Sequence, residues 1–372
     1  MMSHGLPLAD SEVEERFDVW SARAAIEYYE SHAFTDGLPV VPVSESSLAA
    51  FLRTVDRDPQ EVLMPMPHLN RALTVRLAAI NAAMAGCLPE YFPVVVAAWE
   101  GFAAEPTPTR GIWQSTTGTA PLTLVNGPIR DQIGINCAGN IFGSGFRANA
   151  TIGRAIRLAA INVFGLHPHL LDQATQATPA KYSACLGENE ENSPWESLHV
   201  QHGFDSDDST VSTFVIRSVL HLEARHCDAP EQLGHDLANS VARTGALLHE
   251  YTSSLIVLGP EHAAMCARAG WDKDTVRRFV YEAASVSRAT LARVGKGAVS
   301  RHSRWRLPAD HPDAIADETS ARGGDDAPVL SSLDAIQVIV AGADNAGVSA
   351  VVDLFGPPRG IPFSIAKVRS SA

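Results

Sequence analysis

The sequence contains no pair of cysteines at the Cys-x-x-Cys spacing, and its five cysteines are an odd number. A disulfide framework is therefore not expected, and a free, buried thiol is the ordinary interpretation of each cysteine. There is also no unbroken apolar run long enough to span a bilayer, so no membrane partner is predicted. The N-terminus opens an acidic segment without the apolar core of a signal peptide, and we expect a cytoplasmic location.

Positive charge is scarce as well. The 372 residues include 29 Lys and Arg against 42 Asp and Glu, and the formal net charge is −13. This balance argues against nucleic acid or an anionic membrane surface as the main partner. The hydrophobic content of 45% and the charged content of 19% are typical of a soluble globular protein long enough for two domains. A small-molecule substrate and further copies of the same chain are the partners that we expect.

Strands that alternate with helices predict an α/β fold. Three short apolar strands, at 122–125, 255–258 and 336–340, are each followed by a glycine-containing turn. The hexamer Arg-Leu-Ala-Ala-Ile-Asn also occurs twice, at 76–81 and 157–162. These repeats favour two related lobes and an internal duplication.

The domain organisation follows from the same pattern. We predict an N-terminal helical extension over 1–34, a first lobe over 35–200 and a second α/β lobe over 201–372. The second lobe contains a long loop at 300–330, where Arg, Asp, Gly and Pro occur without clear periodicity. Ligands of such folds bind at the carboxyl ends of strands and beside helix N-termini, so we expect the site between the lobes.

The most informative segment is a glycine-rich loop at 134–146 that leads directly into a helical pattern. Glycine lets the backbone approach a ligand closely, and a helix N-terminus offers unpaired N–H groups to an anion. Arginine adds bidentate contacts to a carboxylate or phosphate. The predicted substrate-binding residues are Asn126, Asn136, Arg147, Asn149 and Arg154.

A second segment, 182–199, places a thiol, four carboxylates and an imidazole close together in the chain. Carboxylate and imidazole suit a metal ion or general acid–base catalysis, although a solvated acidic loop has a similar composition. The candidate catalytic residues are Cys87, Cys137, Cys185, Glu188, Glu190 and Glu191.

Three of the cysteines, Cys87, Cys137 and Cys185, lie within two residues of a glycine. Together with His199 they are the candidate metal ligands, and the transition metal would be iron, zinc or copper. Their spacing matches no known metal signature. An alternative therefore stays open in which one thiol is a nucleophile or redox group, and Cys137 fits it best because a helix start follows its loop.

Six stretches of the chain form a recognisable set. They are 35–42 (TDGLPVVP), 84–93 (MAGCLPEYFP), 125–129 (VNGPI), 147–154 (RANATIGR), 188–191 (ENEE) and 193–196 (SPWE). The set resembles the large domain of the UGSC family, whose name comes from a selenocysteine- or cysteine-Gly-Ser-Cys motif in a separate small domain. The chain has no Cys-Gly-Ser-Cys, so a redox role taken from that motif does not transfer. The resemblance implies an enzyme-like large domain that works beside a small thiol-bearing partner protein.

The leading hypothesis is an enzyme that acts on a small anionic metabolite. It would cleave or rearrange a carbon–heteroatom bond through a Cys/Glu/His site, with or without a metal, as a lyase or an oxidoreductase. Two alternatives stay open: a redox subunit that works with a small Cys-containing partner, and a non-catalytic binding subunit. Polar and thiol residues concentrated in glycine-rich loops favour the enzyme, because such loops carry function more often than packing.

Overall fold

The computed structural model describes residues 19–104, 113–245, 252–296, 326–356 and 360–371. Helices and strands alternate through these ranges, which confirms the α/β prediction. Most of the long loop predicted at 300–330 lies outside the described residues. None of the described helices combines the length and the apolar character that a bilayer crossing requires.

The first half of the chain carries more helix than strand. In order, its elements are α1 (Val19–Ser31), α2 (Glu45–Leu52), β1 (Val62–Met66), β2 (Arg71–Thr74), α3 (Val75–Ala85), α4 (Phe92–Ala104), β3 (Ala120–Asn126), α5 (Ile129–Ile133), α6 (Arg147–Asn162), β4 (Cys185–Gly187) and α7 (Leu198–Gln201). Local sequence explains several of the helix ends. Thr74 caps α3 by accepting a hydrogen bond from the N–H of Leu77, and Gly86 ends it with φ at +92°.

The second half carries most of the sheet. Its elements are β5 (Thr210–Glu223), α8 (Pro230–Val241), β6 (Thr252–Leu258), α9 (Pro260–Arg268), α10 (Lys273–Ala283), β7 (Ser285–Ser287), α11 (Arg288–Arg293), β8 (Asp326–Pro328), β9 (Ile336–Val340), β10 (Val348–Phe355) and β11 (Phe363–Lys367). β1 pairs with β2, and β7 with β8, in two small antiparallel sheets.

Seven strands form the main sheet in the order β4-β3-β5-β10-β6-β9, with β11 alongside the first half of β5. β5 and β10 pair antiparallel at the centre, with Leu220 opposite Val351. Outward from this pair, each side has first an antiparallel neighbour (β3 or β6) and then a strand parallel to that neighbour (β4 or β9). Outward from the central pair, the pattern of antiparallel and then parallel pairing is therefore the same on both sides of the sheet.

The repeated hexamer does not follow this symmetry. Both copies lie in the first half, in α3 and α6, which pack against each other. Their last residues, Asn81 and Asn162, are joined by a hydrogen bond from Nδ2 of Asn162 to Oδ1 of Asn81 at 2.8 Å. The internal duplication and the lobe boundary at residue 200 stay predictions, and the sheet runs through that boundary because β5 pairs with both β3 and β10.

The main sheet curls until its two edge strands approach each other. Asn189, two residues after β4, donates its N–H to the carbonyl of Val340 at the end of β9, at 2.7 Å. Residues 135–137 lie between the edges: Gly187 N–H donates to Asn136 O at 3.1 Å, and Gly342 N–H donates to Cys137 O at 2.9 Å. Backbone hydrogen bonds thus connect β4 to β9 and place the start of the glycine-rich loop at the seam.

Alternation of side chains along the strands produces three cores. Inward-facing residues from all seven strands pack together inside the curl, among them Leu122, Leu186, Phe214, Val257, Ile339, Val352 and Phe363. Outward-facing residues of β3 and β5 pack under α3, α4 and α6. Those of β6 and β9 pack under α8, α9 and α10. The helices therefore cover the outside of the curled sheet, and the seam between β4 and β9 is where loops from both halves meet.

Candidate functional site

The glycine-rich loop lines a pocket of about 520 Å³ at the seam. Residues 139–143 line it, together with the turn at 341–346 after β9 and the start of β10. His221 of β5, Arg225 just after that strand and Val257 of β6 also line the pocket. The pocket therefore joins a loop of the first half to strand ends of the second half.

The lining of this glycine-loop pocket is rich in hydrogen-bond donors. Within the described ranges, the N–H groups of residues 139–142 donate to no protein acceptor. The side chains of His221 and Arg225 are exposed. Arg225 has a 3.2 Å contact with the exposed carboxylate of Glu223, and an exposed pair of this kind contributes little. Free amides and a reorientable guanidinium favour an anionic ligand.

A buried ion pair lies next to the seam. Glu188, directly after β4, accepts hydrogen bonds from Lys273 Nζ (2.8 Å), Asn126 Nδ2 (2.7 Å) and the Leu198 N–H (2.8 Å). Lys273 Nζ also donates to Glu196 O at 2.7 Å. Because both charges are buried, they need this full set of partners. Glu188 thus anchors β3, β4, α7 and α10 to one another. Its contacts favour this structural role over the predicted catalytic role.

Arg130 is the centre of a polar cluster that it forms with Glu190 and Glu191, just after β4. Its side chain is only 3% exposed. Nη1 donates to Glu188 O at 2.7 Å, and the two Nη atoms lie 2.7 and 3.2 Å from the Glu191 carboxylate. Glu190 Oε1 lies 3.1 Å from Nε. Two of the predicted catalytic carboxylates, Glu190 and Glu191, therefore converge on one buried guanidinium.

Glu190 is held in place from a second direction. The Gly127 N–H and Asn126 Nδ2 donate to its Oε1 at 2.8 and 2.9 Å. Gly127 has φ at +81°, and a Cβ there would lie 2.1 Å from the Asp208 carbonyl oxygen, so only glycine fits this turn. Asn126 Oδ1 is buried and has no partner within the described residues. The end of β3 therefore presents one unused acceptor beside two carboxylates.

Cys137 lies against this cluster. The thiol is half-buried beside the Arg130 guanidinium, and its Cβ would be 3.2 Å from a Cβ on Gly187, so β4 needs glycine there. Burial raises the pKa of the Cys137 thiol, Arg130 acts in the opposite direction, and the charge of Glu191 raises it further. The net result is a thiol that is protonated at neutral pH.

Cys87 and Cys185 are buried under α6, on the outer side of the sheet. Burial raises the pKa of each thiol to about 12. His199 is also fully buried, and its Nδ1 lies 2.9 Å from Ser197 Oγ. Among the described residues, no three His, Cys, Asp or Glu side chains are grouped as a metal ion would require. The structure therefore does not assemble the predicted ligand set of Cys87, Cys137, Cys185 and His199.

The predicted substrate-binding amides Asn136 and Asn149 are used inside the protein. Asn149 accepts from the Asn136 N–H at 2.8 Å and donates to Asn136 O and Cys185 O, each at 3.1 Å. Asn136 in turn donates to Gly139 O at 3.0 Å and accepts from the Ala138 N–H at 3.1 Å. The two side chains hold the glycine-rich loop to β4 and α6, so they shape the pocket rather than face it.

The two predicted anion-binding arginines differ. Arg154 forms two 2.8 Å contacts with Asp36 and donates to Leu38 O and Pro39 O, so its donors serve a loop of the protein itself. Arg147 is exposed at the start of α6 and donates from Nε to Gly86 O at 3.0 Å. Of the two, Arg147 alone keeps a guanidinium open to solvent near the glycine-rich loop.

Two central residues, Arg130 and Lys273, are missing from the sequence-based predictions. Lys273 is the first residue of α10, where the positive end of the helix dipole disfavours a cation, and this conflict could have identified it as a paired lysine. Arg130 follows a turn in a short helix, and nothing in the pattern distinguishes it from a solvated surface arginine.

Comparison of the chain with protein-family models, with curated proteins and with solved structures gives no match in any of the three. The resemblance to the large domain of the UGSC family therefore stays a prediction, together with the small thiol-bearing partner that it implies.

Proposed function

We propose that this chain is an enzyme that acts on a small anionic metabolite at the seam between β4 and β9. The observation that carries the proposal is the convergence of Cys137, Glu190 and Glu191 on the buried Arg130. This cluster adjoins the glycine-loop pocket, because Gly342 in the pocket wall is hydrogen-bonded to Cys137 O.

The size and charge of the pocket support a small anion as the ligand. Its volume of about 520 Å³ lies within the range of about 300–1,000 Å³ that is usual for small-molecule sites. The free N–H groups of 139–142 and the side chains of His221 and Arg225 supply donors for a carboxylate or phosphate. The Arg147 guanidinium, at the end of the same loop, is a further donor.

The protonation states in the cluster favour cleavage of a carbon–heteroatom bond by elimination. Hydrogen bonding from Arg130 lowers the pKa of Glu191, which is ionised at neutral pH, whereas the Cys137 thiol is protonated. Glu191 accepts a proton from carbon, the carbon–heteroatom bond breaks, and Cys137 protonates the leaving heteroatom. The proton on Glu191 then returns to the Cys137 thiolate, and Arg130 stabilises negative charge throughout.

The experiment is a thermal-shift screen of small carboxylates and organic phosphates, followed by proton NMR of each hit for turnover. Asn345→Trp fills the glycine-loop pocket from its exposed wall, and Asn239→Trp on the exposed face of α8 is the matched control. Of these two tryptophan variants, we expect only Asn345→Trp to abolish the thermal shift. Cys137→Ser should remove turnover, with Cys227→Ser, another half-buried cysteine, as control. If the hits that are turned over keep their shift in Asn345→Trp, or if turnover survives Cys137→Ser, the proposal is contradicted.

A redox subunit is the second candidate, and the partial exposure of Cys137 favours it. Of the three cysteines in glycine-containing segments, Cys137 alone is not fully buried. Its thiolate would attack a disulfide of a small partner, which breaks the partner's S–S bond, forms a mixed disulfide and releases one partner thiolate. Incubation with an oxidised Cys-Gly-Ser-Cys peptide and mass spectrometry tests this: an adduct on Cys137 supports it, and no adduct at pH 9 excludes it.

A further inference from the structure

A second pocket, of about 690 Å³, shares no lining residue with the glycine-loop pocket. It is lined by the turn at 35–37, by Arg157 and Ile161 of α6, and by residues between 167 and 182. Nothing in the proposed function uses these residues, so the pocket needs its own explanation.

Charge on the wall of this second pocket is unbalanced. Asp172 is buried and accepts from Arg157 Nη2 (2.6 Å), from Lys181 Nζ (2.5 and 2.7 Å) and from the Ala174 N–H (3.2 Å). Two cations thus share one carboxylate. The other carboxylate of the lining, Asp36, is already neutralised by its two contacts with Arg154. With histidine counted as neutral, one positive charge remains in the lining, in a protein whose formal net charge on the same count is −13.

Arg157 has donors that the protein does not use. Its side chain is 5% exposed and lines the pocket. Nη2 serves Asp172 and, at 3.4 Å, Leu166 O, but within the described ranges Nε and Nη1 make no hydrogen bond. A buried guanidinium with free donors is costly unless a ligand or water satisfies it. The open donors and the uncompensated charge therefore point to an anion.

The rest of the lining is mixed, with threonines and the two histidines His167 and His169 beside apolar side chains. Ile161, Pro168, Ala174 and Pro179 contribute hydrocarbon surface, and the exposed Tyr182 stands among the lining residues. One net positive charge matches a single negative charge better than a phosphate dianion. We propose that the second pocket binds an organic monocarboxylate, with its carboxylate on Arg157 and an apolar body against these side chains.

Isothermal titration with benzoate tests this, with uncharged benzamide and inorganic phosphate as comparison probes. We expect benzoate to bind at one site and benzamide and phosphate to bind at least about tenfold more weakly. Thr175→Trp obstructs the pocket from its exposed lining without touching the Arg157–Asp172–Lys181 network, and it should abolish binding. Arg157→Lys keeps the charge but loses the open donors, and about tenfold weaker binding is expected.

Asn345→Trp, which fills the glycine-loop pocket, should leave benzoate affinity unchanged and so distinguishes the two sites. No binding of benzoate, equal binding of benzamide, or full affinity in Thr175→Trp would each overturn the proposal. If Asn345→Trp lost benzoate binding while Thr175→Trp kept it, benzoate would be assigned to the glycine-loop pocket, and the proposal would again be overturned.

Discussion

Lys273 and Glu188 form an ion pair that is wholly buried between the two halves of the chain. Nζ lies 2.8 Å from Oε1, and the two side chains are 1% and 0% exposed. Lys273 begins α10 in the outer helical layer of the second half, whereas Glu188 follows β4 at the edge of the first half. The pair therefore links the two halves at the seam where both candidate catalytic segments meet.

Removal of the lysine should be far more damaging than removal of both charges. Lys273→Met leaves Glu188 buried without a counter-charge, and we expect a loss of about 3–5 kcal/mol in the free energy of unfolding. The double variant Glu188→Gln/Lys273→Met should lose less than Lys273→Met alone, and so less than the sum of the two single changes. Urea unfolding of all three variants measures this.

The matched control for this pair is Arg225→Gln. It breaks the exposed pair with Glu223, whose side chains are 53% and 66% exposed, and should change stability by less than about 1 kcal/mol. If Lys273→Met were no more damaging than Arg225→Gln, the pair would not hold the halves together.

The pair of Asp36 and Arg154 should make stability depend on pH. Burial alone would raise the pKa of Asp36, but the hydrogen bonds and charge of Arg154 outweigh it, so the pKa lies below the ordinary value. A lowered pKa means that the folded state favours the carboxylate. Its contribution is fully present above about pH 4 and is lost as the pH falls further, through the lowered pKa.

The comparison of wild type with Asp36→Asn measures this contribution. The difference in unfolding free energy should be largest near neutral pH and should shrink as the pH drops below about 4. In an Arg154→Gln background this loss of stability towards low pH should be absent or reversed, because the Arg154 contacts that lower the pKa are gone and burial raises it. A difference that is constant from pH 7 to pH 3 in wild type would contradict the assignment.

Thiol alkylation should separate the five cysteines into two classes. All five are free; Cys137 and Cys227 are half-buried, whereas Cys87, Cys185 and Cys266 are buried. Burial raises the pKa of Cys87 and Cys185 to about 12, so at pH 8 few of these thiols are ionised. Iodoacetamide at pH 8 should label Cys137 and Cys227 first by peptide mass spectrometry. Labelling of all five in urea is the control, and fast labelling of native Cys185 would count against its position under α6.

Strand–turn patterns were enough to predict the α/β class, because apolar strands before Asn-Gly-Pro and Gly-Pro turns report burial directly. The strands β3, β6 and β9 follow from this signal. The seam could not be predicted in this way. It depends on how far the sheet curls, which brings Asn189 to Val340 across a separation of 151 residues that no local pattern records.

Local composition indicates only part of the candidate site. Glu190, Glu191 and Cys137 are polar or thiol residues in glycine-rich segments, and these are the features that local composition shows. Whether an amide faces a ligand or a backbone carbonyl depends on tertiary contacts, so Asn136 and Asn149 were predicted as substrate contacts although they bond to each other. The donors of Arg154 serve Asp36, and no local pattern records a partner 118 residues away.

Asn149 should therefore prove to be a loop anchor rather than a ligand contact. Asn149→Ala removes three hydrogen bonds, to Asn136 N, Asn136 O and Cys185 O, and leaves buried backbone groups without partners. We expect a loss of about 2–4 kcal/mol in unfolding free energy. Arg147→Gln, at the exposed start of the same helix, is the control and should cost less than about 1 kcal/mol. Hydrogen exchange separates the two roles: in Asn149→Ala without any ligand, amides of 135–146 should exchange faster, because the loop loses its attachment to β4. A contact that served only the ligand would leave exchange in the free protein unchanged, and that result would return Asn149 to the binding site.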